Sequence, residues 1–140
     1  MTATELTYFP VTGYLNSAVN GALASFDATV VFYPRVPRGF TALISNLDLG
    51  DSTSGSSALA FPPVPVQTVG GVLTYQLLSF STPISTALAT VGVSALVYDV
   101  QFTKVSLGFS INNFGFTAPT GTTAINITDP ALTRLSYAGP

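Results

Sequence analysis

The residues best suited to chemistry in this chain are two arginines held in a proline-rich stretch. Residues 30–40 read VVFYPRVPRGF and contain Arg35 and Arg38, two of the four basic residues. Pro34 and Pro37 fix their own φ angles and bias the preceding residues toward extended backbone, so both guanidinium groups project from a stiff segment. A guanidinium can bind a carboxylate through two parallel hydrogen bonds. The stretch therefore predicts a solvated connection between strands, a contact with carboxylates of a partner subunit or, third, a site for an anionic small ligand.

The remaining ionisable residues give no catalytic or metal-binding pattern. The chain has no His and no Cys, which removes the commonest general base, the commonest metal ligand and every thiol nucleophile. Asp48 and Asp51 could offer oxygen ligands to Ca²⁺, but their spacing does not match an EF-hand loop. Lys104, the single lysine, is expected at the surface beside a strand end. We therefore predict a protein that is not an enzyme and has no catalytic, cofactor-binding or metal-binding residues.

The composition indicates an ordered domain whose surface carries little charge. Charged residues make up 7% and hydrophobic residues 47% of the chain, against about 25% charged residues in ordinary soluble domains. The 14 Ser and 19 Thr residues can supply a polar surface without charge. Alternatively, other copies or partners cover much of that surface, because interface cores are depleted in charge. The net charge of −2, without clustered Lys and Arg, argues against a nucleic-acid partner.

Neither the amino terminus nor the longest uncharged stretch predicts a membrane partner. The first 15 residues lack the basic and unbroken apolar regions of a signal peptide. Residues 52–98 are free of charge, but prolines and glycines interrupt them. No window offers the roughly 20 consecutive apolar residues of a membrane-spanning helix.

Ten Pro and 12 Gly divide the chain into short runs rich in Val, Thr, Phe, Tyr and Ile. This pattern predicts an all-β fold with seven to nine short strands, arranged as a β-sandwich or a compact barrel. The main strands are expected at 6–15, 28–33, 40–47, 72–80, 93–103 and 105–111, with shorter ones at 58–61, near 116 and at 125–127. The expected core comprises Val30, Phe32, Leu77, Leu96, Val100, Phe102, Leu107, Phe109 and Ile125.

The segments between the predicted strands are expected to be loops and at most one short helix. Residues 16–27, with Asn20-Gly21 as turn residues, and the polar residues 48–57 are predicted as loops. PPVPV at 62–66 favours an edge strand or polyproline II, since proline cannot donate to a sheet. A helix is predicted within 81–92, with Thr82 as its N-cap and Pro83 at its first position.

Residues 1–140 are predicted to form a single domain, in which the last residues, 127–140, are an apolar docking segment. This segment is too short for a core of its own, so it either closes the open edge of the domain or reaches into a neighbouring subunit. The predicted subunit interface combines it with the proline-rich stretch, and its residues are Arg35, Arg38, Leu132, Arg134, Leu135 and Tyr137.

Two stretches of the chain resemble known proteins. Residues 11–35 resemble the opening of carboxypeptidase-regulatory-like, prealbumin-type β-sandwich modules, at Val11, Gly13, Gly21, Val30, Phe32 and Pro34. Together with ITDPALTRLSYAGP at 127–140, the chain is similar to small virion proteins of phages that infect actinobacteria, of the minor-tail or capsid-decoration type. The resemblance implies one immunoglobulin-like or prealbumin-like sandwich, located in the virion, with a non-enzymatic structural role. It also implies other virion proteins as partners and a homo-oligomer, of which a trimer is one form.

The alternative function is a carbohydrate- or surface-binding β-sandwich module. Exposed tyrosine rings can stack on sugars, because the ring offers an apolar face with a polar tip. The tyrosines considered for this role are Tyr8, Tyr14, Tyr33, Tyr75 and Tyr137.

Overall fold

Two β-sheets that share one hydrophobic core form the centre of the molecule, confirming the expected all-β sandwich. The computed structural model describes residues 3–140, except for the side chain of Leu107. The strands are β1 Tyr8–Tyr14, β2 Asn16–Val19, β3 Ala22–Ser25, β4 Thr29–Pro34, β5 Thr41–Gly50, β6 Thr53–Ala60, β7 Val64–Gln67, β8 Val72–Leu78, β9 Val97–Thr103, β10 Phe114–Thr117, β11 Ile125–Asn126 and β12 Leu135–Ser136. One sheet has the order β11-β1-β8 and the other β12-β10-β9-β4-β7.

Both sheets turn alternate side chains toward the shared core, as the period of two in a strand requires. In β1, Phe9 and Val11 are buried and their neighbours are not. In β4, Val30 and Phe32 are fully buried in the same way. The alternation that predicted these strands therefore also fixes which face of each sheet becomes the core.

Aromatic rings join the two sheets. Phe9 of β1 lies 6.2 Å from Phe116 of β10, edge to face, and 6.0 Å from Tyr98 of β9. Phe116 also packs edge to face on Phe32 of β4 at 6.4 Å. Such offset arrangements add about 0.5–1.5 kcal/mol per pair to the burial of the rings. The centre of the sandwich is thus a rigid block of four rings.

The only helix longer than one turn within residues 3–140 is α1, Thr82–Ala89, which lies against β5. Ile84 and Leu88 are fully buried, one helical turn apart. The N-cap is Ser81 rather than the predicted Thr82, because the Ser81 carbonyl accepts the first helical hydrogen bonds, from the amides of Ile84 and Ser85. No helix in the described residues is long and apolar enough to cross a membrane.

Two segments predicted as loops are β-hairpins, so those two predictions are wrong. Residues 16–25 form β2 and β3, and the predicted loop 48–57 is the turn end of a second hairpin, whose strands β5 and β6 include those predicted at 40–47 and 58–61. Asn20 and Gly21 have φ of 52° and 71°, and Asp51 and Ser52 have φ of 50° and 62°. Positive φ at both central residues is what a two-residue type I′ turn requires, and its twist matches that of the strands. The described residues contain twelve strands, eight in the two main sheets and four in the hairpins, where seven to nine were expected in all.

The strand predicted at 105–111 is also wrong, because the chain forms a 3₁₀ turn at Ser106–Gly108. Phe109 was predicted in the core but is 37% exposed, and its ring packs edge to face on Phe26 at 5.0 Å. Leu107 lies outside the described side chains. Phe102 and Ile125 are partly buried against the core, and the other five predicted core residues are buried: Val30, Phe32, Leu77, Leu96 and Val100.

Predicted edge strand β7 is confirmed at the margin of the five-stranded sheet, where Pro65 pairs with Val31 of β4. An edge tolerates a residue that cannot donate a hydrogen bond on its outer side. Strand β8 occupies an edge of the other sheet. One side of the sandwich, which we call its open side, therefore has β7 and β8 as its two rims.

Two glycines with left-handed backbone, Gly21 and Gly71, allow the cost of an added side chain to be compared in an open turn and in a closely packed one. Gly21 has φ of +71° with open space at its Cβ position, whereas Gly71, at φ +77°, would place a Cβ 2.5 Å from the Leu15 carbonyl oxygen. We expect Gly21→Ala to lower the free energy of unfolding by about 1 kcal/mol through backbone strain alone. Gly71→Ala should cost at least about 1 kcal/mol more, as measured by urea unfolding. Equal losses would contradict the close packing around Gly71.

Candidate functional site

Arg35 binds a carboxylate of its own chain. Its Nε donates to Oδ2 of Asp99 at 2.8 Å, and its Nη2 donates to Oδ1 at 2.8 Å. The Arg35 side chain is one-third exposed, whereas that of Asp99 is 2% exposed. This bidentate pair raises the pKa of Arg35 above its ordinary value, chiefly through the hydrogen bonds that Arg35 donates to Asp99. The carboxylate predicted for a partner subunit is therefore found within the chain.

Asp99 is buried beneath the end of the chain and not inside the sandwich. It alternates with Tyr98 and Val100, so its side chain points to the outer face of β9. The amide of Ala138 donates to its Oδ1 at 2.9 Å. Gly115 of β10 lies opposite, where a Cβ would stand 2.8 Å from Nη2 of Arg35. The missing side chain thus leaves room for the guanidinium.

Residues 135–140 close the edge of their own domain, which is the first of the two roles expected for the C-terminal segment. Strand β12 pairs with β10, and Arg35 Nη2 donates to the Ser136 carbonyl oxygen at 2.6 Å. Farther on, the Gln101 side chain donates to the Pro140 carbonyl oxygen at 3.2 Å. We refer to Arg35, Asp99 and residues 135–140 as the carboxyl-terminal latch.

Arg134 also serves the fold of its own segment. Its guanidinium donates to the carbonyl oxygens of Ile127, Asp129 and Leu132 at 2.8 to 3.1 Å. It lies 4.9 Å from the centre of the Phe114 ring, within cation–π range. Arg134 thereby holds the turn at 127–132 against β10.

The other predicted interface residues differ in how far their side chains are engaged within their own chain. Leu132 packs against the main core, and Leu135 and Tyr137 are half-buried in the latch. Burial raises the pKa of Tyr137, whose hydroxyl donates to the Pro140 carbonyl oxygen at 2.7 Å. Arg38 is exposed and has no hydrogen bond or ion pair within residues 3–140. The predicted interface remains a prediction, and Arg38 is its one arginine without an intrachain partner among those residues.

The hairpin Asn16–Ser25, which we call the arm, is a surface feature that the strand predictions missed. Nine of its ten residues are exposed, among them Val19 at 47% and Leu23 at 79%. It contains no charged residue. The Asn20-Gly21 dipeptide between two apolar runs was the signal for a hairpin, although Ser and Ala around it gave no clear alternation.

Two further apolar residues are exposed beside the base of the arm. The Leu15 amide donates to the Gly71 carbonyl oxygen at 2.7 Å, which places the Gly70-Gly71 turn beside the arm. On either side of that turn, Val69 is 78% and Val72 is 41% exposed. We call Val19, Leu23, Val69 and Val72 the arm surface.

Two adjacent cavities lie beside the connection from β6 to β7, and we call them together the groove. Its first part, the tyrosine end, has a volume of about 200 Å³ and is lined by Tyr8, Tyr75 and Phe61, among others. Tyr98 closes the floor, where its hydroxyl donates to the Leu78 carbonyl oxygen at 2.8 Å and burial raises its pKa. Tyr8 is 47% and Tyr75 41% exposed.

The second part, the arginine end, has a volume of about 340 Å³ and includes Arg38 and Phe40. Both parts share four lining residues, Pro34, Ala60, Phe61 and Pro62. Of the other tyrosines considered for sugar stacking, Tyr14 is 53% exposed away from the groove, and Tyr33 donates to the Gln101 side chain at 3.1 Å.

The acidic residues are placed as structural groups. Asp48 accepts the Gly50 amide at 2.9 Å before the Asp51-Ser52 turn. Asp27 accepts the Thr68 hydroxyl and the Gly71 amide, both at 2.8 Å. Within residues 3–140 no group of three or more acidic residues is arranged to hold a metal ion.

Comparison with protein-family models, curated proteins and solved structures finds no match to this chain. The resemblance to phage virion proteins therefore remains a prediction from residues 11–35 and 127–140.

The role of Arg35 in the latch can be tested by substituting it and using the same substitution of Arg38 as the control. Arg35→Met should lower the free energy of unfolding by about 2–3 kcal/mol, because it leaves the buried Asp99 without its charged partner. Arg38→Met should change it by no more than about 0.5 kcal/mol, since Arg38 is exposed and unpaired. Denaturant unfolding measures both. Hydrogen exchange of the Ala138 amide should quicken in the first variant alone, and similar losses in both variants would contradict the latch.

The hydrogen bonds of the Asp27 carboxylate should make the stability of the protein depend on pH. The hydrogen bond from the Gly71 amide, then that from Thr68, lowers the Asp27 pKa below its ordinary value of 3.8. Its stabilising contribution is therefore complete above that value and is lost as pH falls through the lower, folded-state pKa. Asp27→Asn should unfold at a lower temperature than wild type at pH 7, and the difference should shrink toward about pH 2. A difference that stays constant with pH would contradict this role of the carboxylate.

Proposed function

We propose that this chain is a non-enzymatic structural subunit that acts by packing against other copies of itself or against neighbouring proteins. The arm carries the proposal, because it exposes apolar side chains and has no charge to keep it solvated. A two-stranded hairpin alone is at best marginally stable in water. A covering partner supplies the burial that the arm lacks within its own chain.

The rest of the arm surface supports the same role. Val69 and Val72, beside the base of the arm, add two exposed apolar side chains to Val19 and Leu23, which lie on the two faces of the arm. Several exposed apolar side chains in one part of a soluble protein favour a site of interaction there. Soluble designs keep about 25–35% charged residues at their surface to avoid association, and this chain has 7% overall.

The proposed particle is a phage virion, in which the subunit is tail-associated or decorates the capsid. Support for this class comes from the resemblance of residues 11–35 and 127–140 to small virion proteins. Repeated subunits in such particles are related by symmetry, and a trimer is one arrangement that uses the arm surface three times. Each contact would bury uncharged surface and require no ionisable group.

A second candidate, a carbohydrate- or surface-binding module, is favoured by one observation. Tyr8 and Tyr75 are both exposed and both line the tyrosine end of the groove. The groove and the arm surface share no residue, so the two functions can be tested separately.

Replacing an apolar arm residue with a charged one should disrupt assembly. We expect wild-type protein to sediment as an oligomer at micromolar concentration and Leu23→Asp to sediment as a monomer, because the charge would have to be desolvated in the contact. Ser56→Asp, an equal charge change on an exposed residue of β6, is the control and should remain oligomeric. Wild-type protein that stays monomeric at about 100 μM, without a partner, would contradict self-assembly.

A further inference from the structure

We propose that the groove binds an extended oligosaccharide that carries a carboxylate, with sugar rings on Tyr8 and Tyr75 and the carboxylate on Arg38. This inference deepens the second candidate function and rests on it. It does not depend on the arm surface or on assembly.

The two ends of the groove are adjacent, and the residues that they share form stiff walls. Phe61 belongs to both ends and stacks on Phe40, with ring centres 5.8 Å apart and an interplanar angle of 26°. Pro34 and Pro62 stand at the junction of the two ends. Prolines and a stacked aromatic pair have little conformational freedom to lose, so a ligand would bind a preformed surface.

The tyrosine end suits a sugar better than a fully apolar ligand. Tyr8 and Tyr75 are each more than two-fifths exposed, so the rings are accessible from solvent. An apolar small molecule needs a pocket that buries most of its surface. A sugar ring can instead place one C–H face on an aromatic ring and keep its hydroxyl groups in water or on the phenol groups.

The arginine end selects an anionic ligand. Arg35 and Arg134 are both engaged by oxygens of their own chain, whereas Arg38 is exposed without such a partner in residues 3–140. No described acidic residue lines either end of the groove. A guanidinium binds a carboxylate bidentately, and Pro37 before it restricts the backbone that presents it.

One wall of the groove also disfavours an extended peptide. A peptide that adds to a sheet edge needs backbone donors and acceptors along that edge. On the β7 side, Pro62, Pro63 and Pro65 have no N–H to offer. Ring stacking makes no such demand on the backbone, which favours the oligosaccharide.

The test uses a tetramer of galacturonic acid and its fully methyl-esterified form, each titrated into the full chain by calorimetry. We expect the acid to bind wild type about tenfold more tightly than the ester. Arg38→Gln should abolish that preference. Tyr8→Ala and Tyr75→Ala should weaken binding of both forms by about tenfold or more. Tyr14→Ala is the matched control, exposed on the same strand as Tyr8 but outside the groove, and should bind as wild type does.

Each contrary outcome identifies what is wrong. The proposal is overturned if tetramers of galacturonate, mannuronate and glucuronate all fail to bind at about 10 mM. If the acid and the ester bind equally well, and Arg38→Gln changes neither affinity, the proposal that the ligand is acidic is wrong. The carbohydrate-binding function would still stand in that case. Stronger binding of hexaglutamate than of any tetramer overturns it in favour of a peptide. Unfolding curves of each variant verify the fold, and Leu23→Asp should bind the tetramer normally even if assembly fails.

Discussion

A carboxylate that is shielded from water needs donors for both of its oxygens, and Asp99 obtains them from two distant parts of the chain. Arg35 reaches it from the stretch after β4, and Ala138 reaches it from the last residues. The Asp99 carboxylate thereby joins the five-stranded sheet to the proline-rich stretch and to the carboxyl terminus. Removal of that charge would leave β12, two residues long, with little to hold it against β10.

The ionisable groups of the chain largely serve its internal structure. Arg35 and Arg134 bind oxygens of nearby segments, and Asp27 joins β4 to the Gly70-Gly71 turn. What remains for contact with other molecules is shape, apolar side chains and the free Arg38. The proposed functions both follow from that division, because neither the arm surface nor the groove requires proton transfer.

The sequence predicted the elements in which apolar residues alternate. Val30 and Phe32 in β4, and Tyr98 and Val100 in β9, lie on the expected faces. Alternation misled at 105–111, because Lys104 and Gly108 have φ of 49° and 70°, which interrupt an extended strand. The arm, and the strand residues within 48–57, escaped prediction because small residues such as Ser and Ala do not distinguish a strand from a loop.

The site was predicted only in part. Arg35 and Arg38 have the same type and the same proline-rich surroundings, so local sequence could not separate the structural arginine from the free one. Their difference comes from Asp99, which is 64 positions from Arg35 along the chain. Likewise, Tyr8 and Tyr75 could be named as candidates, but only the folded structure shows that both line one cavity, since the register of β1 and β8 does not place them opposite each other.

The sparse charge has a consequence for the conditions under which such a subunit would hold together. Dissolved ions screen exposed charges strongly and buried pairs weakly, and the one ion pair found in residues 3–140 has its carboxylate 2% exposed. Contacts made by the arm surface would therefore change little between dilute buffer and brine. They would weaken on cooling, because the attraction between apolar groups fades as water becomes colder. Temperature, more than ionic strength, would be the variable that loosens the assembly.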